Sequence, residues 1–133
     1  MKSFIIDDDQ ISLFLTQSML EIEGFSNQVS TFLFPEDALA VLQNCLPTEL
    51  PRVIFLDLNM PHMNGWAFMD AVSPLAEKLK DRCRIYILTS SLDSSDDIKA
   101  KDYALIHGFI HKPITGEELK LIQSDIRKES ERL

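Results

Sequence analysis

Val53-Ile54-Phe55-Leu56-Asp57 stays apolar for four residues and ends on a carboxylate. Short apolar runs rich in β-branched and aromatic residues read as buried strands. This run is the greasiest in the chain, which places it at the centre of a sheet. Its terminal aspartate then lies at the rim of that sheet. Upstream, Phe4-Ile5-Ile6 runs in the same way into Asp7-Asp8-Asp9. Two acidic rims side by side repel one another. A hard divalent cation between them relieves the repulsion, because Mg²⁺ prefers oxygen ligands and takes one or two carboxylates plus water and phosphate.

Outward from these two runs the chain alternates strand and helix patterns. The first strand covers residues 3–6. Ile11, Phe14, Leu15, Ser18 and Ile22 then recur at helical spacing until Gly24 stops the helix. Residues 28–33 are less uniformly apolar, the mark of an edge strand. Pro35 opens a second helix with Leu39, Leu42 and Leu46 on one face, and Pro47 and Pro51 bracket the loop before residues 53–56. Phe68, Val72, Leu75 and Leu79 define a third helix, kinked at Pro74. Residues 85–88 form the fourth strand. A weak helix over 98–107, with Ala100, Tyr103 and Ala104 as its apolar side, leads to a short fifth strand at 109–110. Thr115 and Glu118 form a capping box for a last helix carrying Leu119, Ile122 and Ile126. Five strands alternating with five helices predict a parallel sheet covered on both faces. In such folds ligands sit beyond the carboxyl ends of the strands, where the strand order reverses. Asp7, Asp8, Asp57, Thr89 and Lys112 all fall there, and this co-location says more than any one of them.

Composition excludes several classes. A chain of 133 residues fits one domain with a real core. Its 45% hydrophobic and 26% charged content is that of a soluble globular protein. No apolar stretch has the length of a membrane span, so no membrane insertion is expected. Met1-Lys2-Ser3 enters the first strand at once and leaves no room for a signal peptide. Cys45 and Cys83 are too few for a disulfide framework and read as reduced thiols of a cytoplasmic protein. A net charge of −8 argues against nucleic-acid binding, which needs a basic surface, but suits a protein partner with a basic patch. His62, His107 and His111 have no metal-ligand spacing.

Ile5-Ile6-Asp7-Asp8-Asp9, Phe55-Leu56-Asp57-Leu58-Asn59-Met60-Pro61-His62-Met63-Asn64-Gly65, Leu88-Thr89-Ser90-Ser91 and His111-Lys112-Pro113 together closely resemble the receiver domain of two-component response regulators. The resemblance spans about residues 2–130. It implies a flavodoxin-like (βα)5 three-layer sandwich with a parallel sheet of order 2-1-3-4-5. Because the chain ends with its fifth helix, residues 1–133 are expected to form a single receiver domain without an output domain. The resemblance also implies that Asp57 accepts a phosphoryl group from a histidine kinase or histidine phosphotransfer protein, in keeping with the ability of a carboxylate to form an acyl phosphate. It further implies Mg²⁺ held by the side chains of Asp8 and Asp57, by the backbone carbonyl of Asn59 and by Asp7 through water. Lys112 then pairs with Asp57 and later with a phosphoryl oxygen. Thr89 donates its hydroxyl, and the N–H groups of Leu58 and Ser90 are further donors. Phe109 occupies the place of a switch aromatic that turns inward on activation, and a plain core phenylalanine fits the same residue. The downstream protein target is not named by the sequence.

Each residue also has a plainer use. Asp9 reads as a helix cap. Asp7 or Asp8 alone would be a cap as well, whereas the pair opposite Asp57 reads as metal ligands. Asn59, Asn64 and Gly65 suit a turn, which is compatible with a ligating carbonyl at Asn59. Thr89 alone is a strand-end hydroxyl, and Lys112 alone a solvated lysine. A flavodoxin needs a Gly/Ser/Thr-rich phosphate loop where this chain has Asp-Asp-Asp-Gln. A haloacid-dehalogenase-like phosphatase carries a second aspartate where this chain has Asn59. The remaining alternative is a phosphorylation-independent interaction module of receiver fold. Trp66, the only tryptophan, falls just past the loop after Asp57 and is expected to report on that loop.

Overall fold

The computed structural model describes residues 1–91 and 93–131. Five strands, β1 (Lys2–Ile6), β2 (Gln28–Phe32), β3 (Val53–Asp57), β4 (Arg84–Thr89) and β5 (Ile106–His111), make one sheet of order β2-β1-β3-β4-β5. Every pairing is parallel. The helices are α1 (Gln10–Ile22), α2 (Pro35–Asn44), α3 (Gly65–Val72), α4 (Ala76–Leu79), α5 (Ser94–Ala100) and α6 (Gly116–Glu131). This is the flavodoxin-like sandwich expected, with β3 central and β2 at an edge.

Alternate residues of the inner strands feed two cores, as the pleat requires. Phe4, Ile6, Ile54, Leu56, Ile85 and Ile87 pack with α2, α3 and α4 on one face. Ile5, Val53, Phe55, Tyr86, Leu88 and Ile110 pack with α1 and α6 on the other. Burial of all five β3 residues explains its continuous apolarity. β1 pairs with β2 on one side and β3 on the other, and Ile6 lies opposite Leu56. The order therefore reverses at β1/β3, and Asp7, just past β1, emerges beside Asp57, the last residue of β3.

Local signals behave as read. Asp9 caps α1 by accepting from the N–H groups of Ile11 and Ser12. Gly24 takes a left-handed φ of 59° just past the end of α1, which glycine adopts without a Cβ clash. Pro35 starts α2, and Thr115 and Glu118 exchange hydrogen bonds as a capping box.

Four expectations change. The stripe of Ile11, Phe14, Leu15 and Ile22 faces outward, and α1 seats Leu13, Thr16 and Leu20 on the sheet instead. This helix is apolar on two sides, so periodicity alone does not say which side the sheet takes. Leu46 lies beyond the end of α2 and is exposed. Pro74 divides the third helix rather than kinking it: a 3₁₀ turn over Ser73–Leu75 separates α3 from α4, because proline offers no N–H to continue the ladder. The fourth helix occupies Ser94–Ala100, not 98–107. Asp93 caps it in a box with Asp96, a short acidic signal that outweighs the weak apolar spacing downstream. Residues 106–108 then join β5 and lengthen it.

Candidate functional site

The carboxyl ends of β1 and β3 bring the predicted acidic residues together. Asp7 and Asp57 are buried, while Asp8 is exposed at the rim. One carboxylate oxygen from each of Asp7, Asp8 and Asp57 lies within 4.8 Å of the others, the one such cluster of potential metal ligands among the described residues. Three hard oxygen donors, two of them desolvated, fit a hard divalent cation such as Mg²⁺.

Lys112 reaches this cluster from the end of β5. Its Nζ lies 2.9 Å from Asp7 Oδ2 and 3.0 Å from Asp57 Oδ1. Its backbone N–H donates to the Thr89 carbonyl at 2.9 Å, carrying the β4–β5 ladder one step past the strand. The Lys112–Pro113 peptide is cis. Pairing with Asp57 was expected, but the bond to Asp7 was not. The two residues are 105 positions apart, and no local pattern links them.

Burial pushes the Asp57 carboxyl up to about 6. Lys112 opposes this by donating to it, and repulsion from Asp7 and Asp8 adds to the rise. Burial also works against the charged form of Lys112, but the carboxylates of Asp7 and Asp57 outweigh it and hold the ammonium above the ordinary lysine value. Asp7 spends its other oxygen on the Asp9 N–H at 3.0 Å.

Thr89 is buried at the end of β4, with its hydroxyl donating to the Ser91 carbonyl at 2.8 Å and accepting from the Ser91 N–H. Asn59 is exposed two residues past Asp57. The N–H of Leu58 donates to the Leu88 carbonyl at 3.1 Å, extending the β3–β4 ladder, and so is not the spare donor the resemblance suggested. Phe109 is half-buried and packs against the core that α2, α3 and α4 cover.

Gly65 matters more than a turn residue. Its N–H donates to the Leu58 carbonyl at 2.9 Å. A Cβ at this position would stand 3.1 Å from both the Asp57 carbonyl oxygen and Leu58 Cα. The start of α3 is thus pressed against the Asp57 peptide, and Asn64 fixes it there by accepting from the Ala67 N–H at 2.8 Å.

Comparison with known proteins agrees with this geometry. The family model described as "Response regulator receiver domain" matches residues 4–123. The chain is 34% identical over 125 residues to a hybrid signal transduction histidine kinase C of Dictyostelium discoideum. That match covers 91% of this chain and 10% of the kinase, so the chain spans about a tenth of that relative's length. A two-component response regulator from Cytophaga hutchinsonii superposes with a TM-score of 0.85 at 25% identity, covering 96% of both chains. A response regulator receiver protein from Dyadobacter fermentans gives 0.83 at 28%, covering 97% of both. With the strand order, the acidic rim and the lysine that spans it all in place, this chain belongs to the response regulator receiver domain family.

Proposed function

We propose that this receiver accepts a phosphoryl group on Asp57 from a histidine kinase or histidine phosphotransfer protein, with Mg²⁺ present, and thereby switches a protein-binding face. The observation that carries the reading is the buried Asp57 carboxylate held between Lys112 and two further carboxylates at the rim of the sheet. A carboxylate oxygen of Asp57 bonds to phosphorus as the phosphorus–nitrogen bond of the donor's phosphohistidine breaks. The bonding pair returns to the imidazole, and solvent supplies the proton that nitrogen then needs. Phosphoryl transfer needs positioning and charge stabilisation more than covalent help. Lys112 supplies a fixed cation, Thr89 a hydroxyl one strand away, and Ser90 a backbone donor. The carboxylates of Asp7, Asp8 and Asp57 and the carbonyl of Asn59 would hold Mg²⁺. When bound, that ion neutralises the acidic rim and the phosphoryl oxygens. The only reactions catalysed are the chain's own phosphorylation and dephosphorylation.

The outward stripe of α1 supports a protein donor. Ile11, Phe14 and Leu15 are 73%, 64% and 53% exposed. A groove of about 460 Å³ runs between Ile11, Leu15 and Met19 on one side and Lys112, Pro113 and Ile114 on the other. An apolar face that ends at the lysine of the site suits the helix that carries a phosphohistidine. The acidic surface favours a partner with basic residues, so the encounter weakens with salt. No helix among the described residues is long and apolar enough to cross a membrane; the site of action that goes with the proposed kinase partner is the cytoplasm.

Incubation with acetyl phosphate and Mg²⁺ tests the reading. Label on the parent protein that is lost in Asp57→Asn is the expected result. A parent that takes no label favours the phosphorylation-independent module, and an Asp57→Asn protein that labels equally places the acceptor on another residue.

A further inference from the structure

Trp66 is buried in the first turn of α3, and three contacts converge on it and its neighbour one turn on. Its ring stacks on Tyr103 with centroids 5.7 Å apart and planes 26° apart. Lys99 places its Nζ 5.2 Å from the centre of the Trp66 ring, a cation–π distance. The Tyr103 hydroxyl donates to Asp70 Oδ1 at 2.5 Å. Asp70 holds the phenol above its ordinary value, so the proton stays on Tyr103 at neutral pH. Lys99 belongs to α5 and Tyr103 to the turn between α5 and β5. All three contacts therefore moor this segment to α3.

The segment has little else to hold it. No residue of α5 is buried, and Ile98 is 67% exposed. Ala100, Tyr103 and Leu105 are only partly buried against the core. The other end of the mooring is firm, because Gly65, next to Trp66, is pressed on the Asp57 peptide. A contiguous set of contacts thus joins the acceptor to α5. In the state seen here, Thr89 turns its hydroxyl to its own loop and Lys112 spans Asp7 and Asp57.

We propose that Trp66, Asp70, Lys99 and Tyr103 form a latch that holds α5 and the α5–β5 turn against α3 in the unphosphorylated protein, and that phosphorylation of Asp57 works against this latch. The inference rests on the phosphoacceptor reading above and adds the residues that set its balance. Contacts made in one state only favour that state, and removing them shifts the population to the other. Whatever loosens the latch therefore favours the phosphorylated form.

Tyr103→Phe keeps the stacked ring and removes the donor to Asp70, and Asp70→Asn weakens the same bond from the other side. Acetyl phosphate labelling with Mg²⁺ and Trp66 emission are measured on the parent, each variant and the double variant. The latch predicts a phosphorylated fraction raised on the order of fivefold relative to the unphosphorylated form, the effect of losing one exposed hydrogen bond. It predicts that the emission of each unphosphorylated variant moves toward that of the phosphorylated parent. It also predicts less than additive effects in the double variant, because both changes act on one bond. A parent that labels while both variants match it in labelling and emission overturns the latch alone. A parent that takes no label overturns the phosphoacceptor reading and the latch with it.

Discussion

Asp57 sits where a carboxylate is least comfortable as an anion. Its raised value, about 6 against an ordinary 3.8, means that between those limits the folded protein keeps a proton the unfolded chain has released. Stability contributed by this group is therefore full below about pH 4 and is lost as pH rises through 6. The loss is about 3 kcal/mol, at roughly 1.4 kcal/mol per unit. Asp57→Asn removes it. Without divalent cation, the variant is expected to withstand more urea than the parent at pH 7, and the gap is expected to close at pH 4. As the proposed phosphoryl acceptor Asp57 reacts only when ionised, so labelling is expected to fall as pH drops toward the acid range. Mg²⁺ favours the anion and moves that fall to lower pH. Gly65→Ala tests the neighbouring backbone. A methyl group 3.1 Å from the Asp57 carbonyl and Leu58 Cα forces main chain to move, with an expected cost of about 1–3 kcal/mol in denaturant unfolding and slower labelling at Asp57.

Among the elements, α1 and α5 are the two that the sequence places least well. Caps and breakers act over a few residues, so Asp9, Pro35 and Thr115 are legible one at a time. The face a helix turns to the sheet is a tertiary matter. In α1 the row of Leu13, Thr16 and Leu20 wins the core with smaller and more polar side chains than the row it leaves outside. That outcome is informative, since large apolar groups left in water beside a reactive site mark a surface with another use. Leu15→Asp is expected to leave stability within about 0.5 kcal/mol, as for an exposed position. It should leave acetyl phosphate labelling intact and slow transfer from a phosphorylated histidine protein several-fold. Stopped-flow or gel-based transfer from such a donor separates the two. α5 is the opposite case: none of its residues is fully buried, and its acidic capping box places it where apolar periodicity does not.

For the whole molecule, the crowding of charge at one edge is expected to make stability depend on a divalent ion. Mg²⁺ that binds only the folded protein stabilises it by mass action, about 2.7 kcal/mol at a hundred times the dissociation constant. Thermal melts of the parent are expected to rise with Mg²⁺. Asp8→Ala, which removes an exposed carboxylate that repels Asp57 and leaves the core intact, is expected to melt no lower than the parent in the absence of the ion and to gain little in its presence. An Asp8→Ala protein that keeps the full gain would place the ion elsewhere. The sequence by itself determined the alternation of strands and helices, the central place of β3 and the acidic ends of β1 and β3, because those are properties of short stretches whose side-chain period and end residues can be read directly. Membership of a family supplied the strand order and the pairing of Lys112 with Asp57. Only the tertiary structure decided that Lys112 also binds Asp7, that the Leu58 N–H is already taken by the β3–β4 ladder, that α1 shows its larger apolar side to solvent, and that Trp66 is gripped by Tyr103 and Lys99. Each of these depends on groups far apart in the chain meeting in the folded protein, and the distance and orientation at which they meet are set by packing rather than by any local pattern.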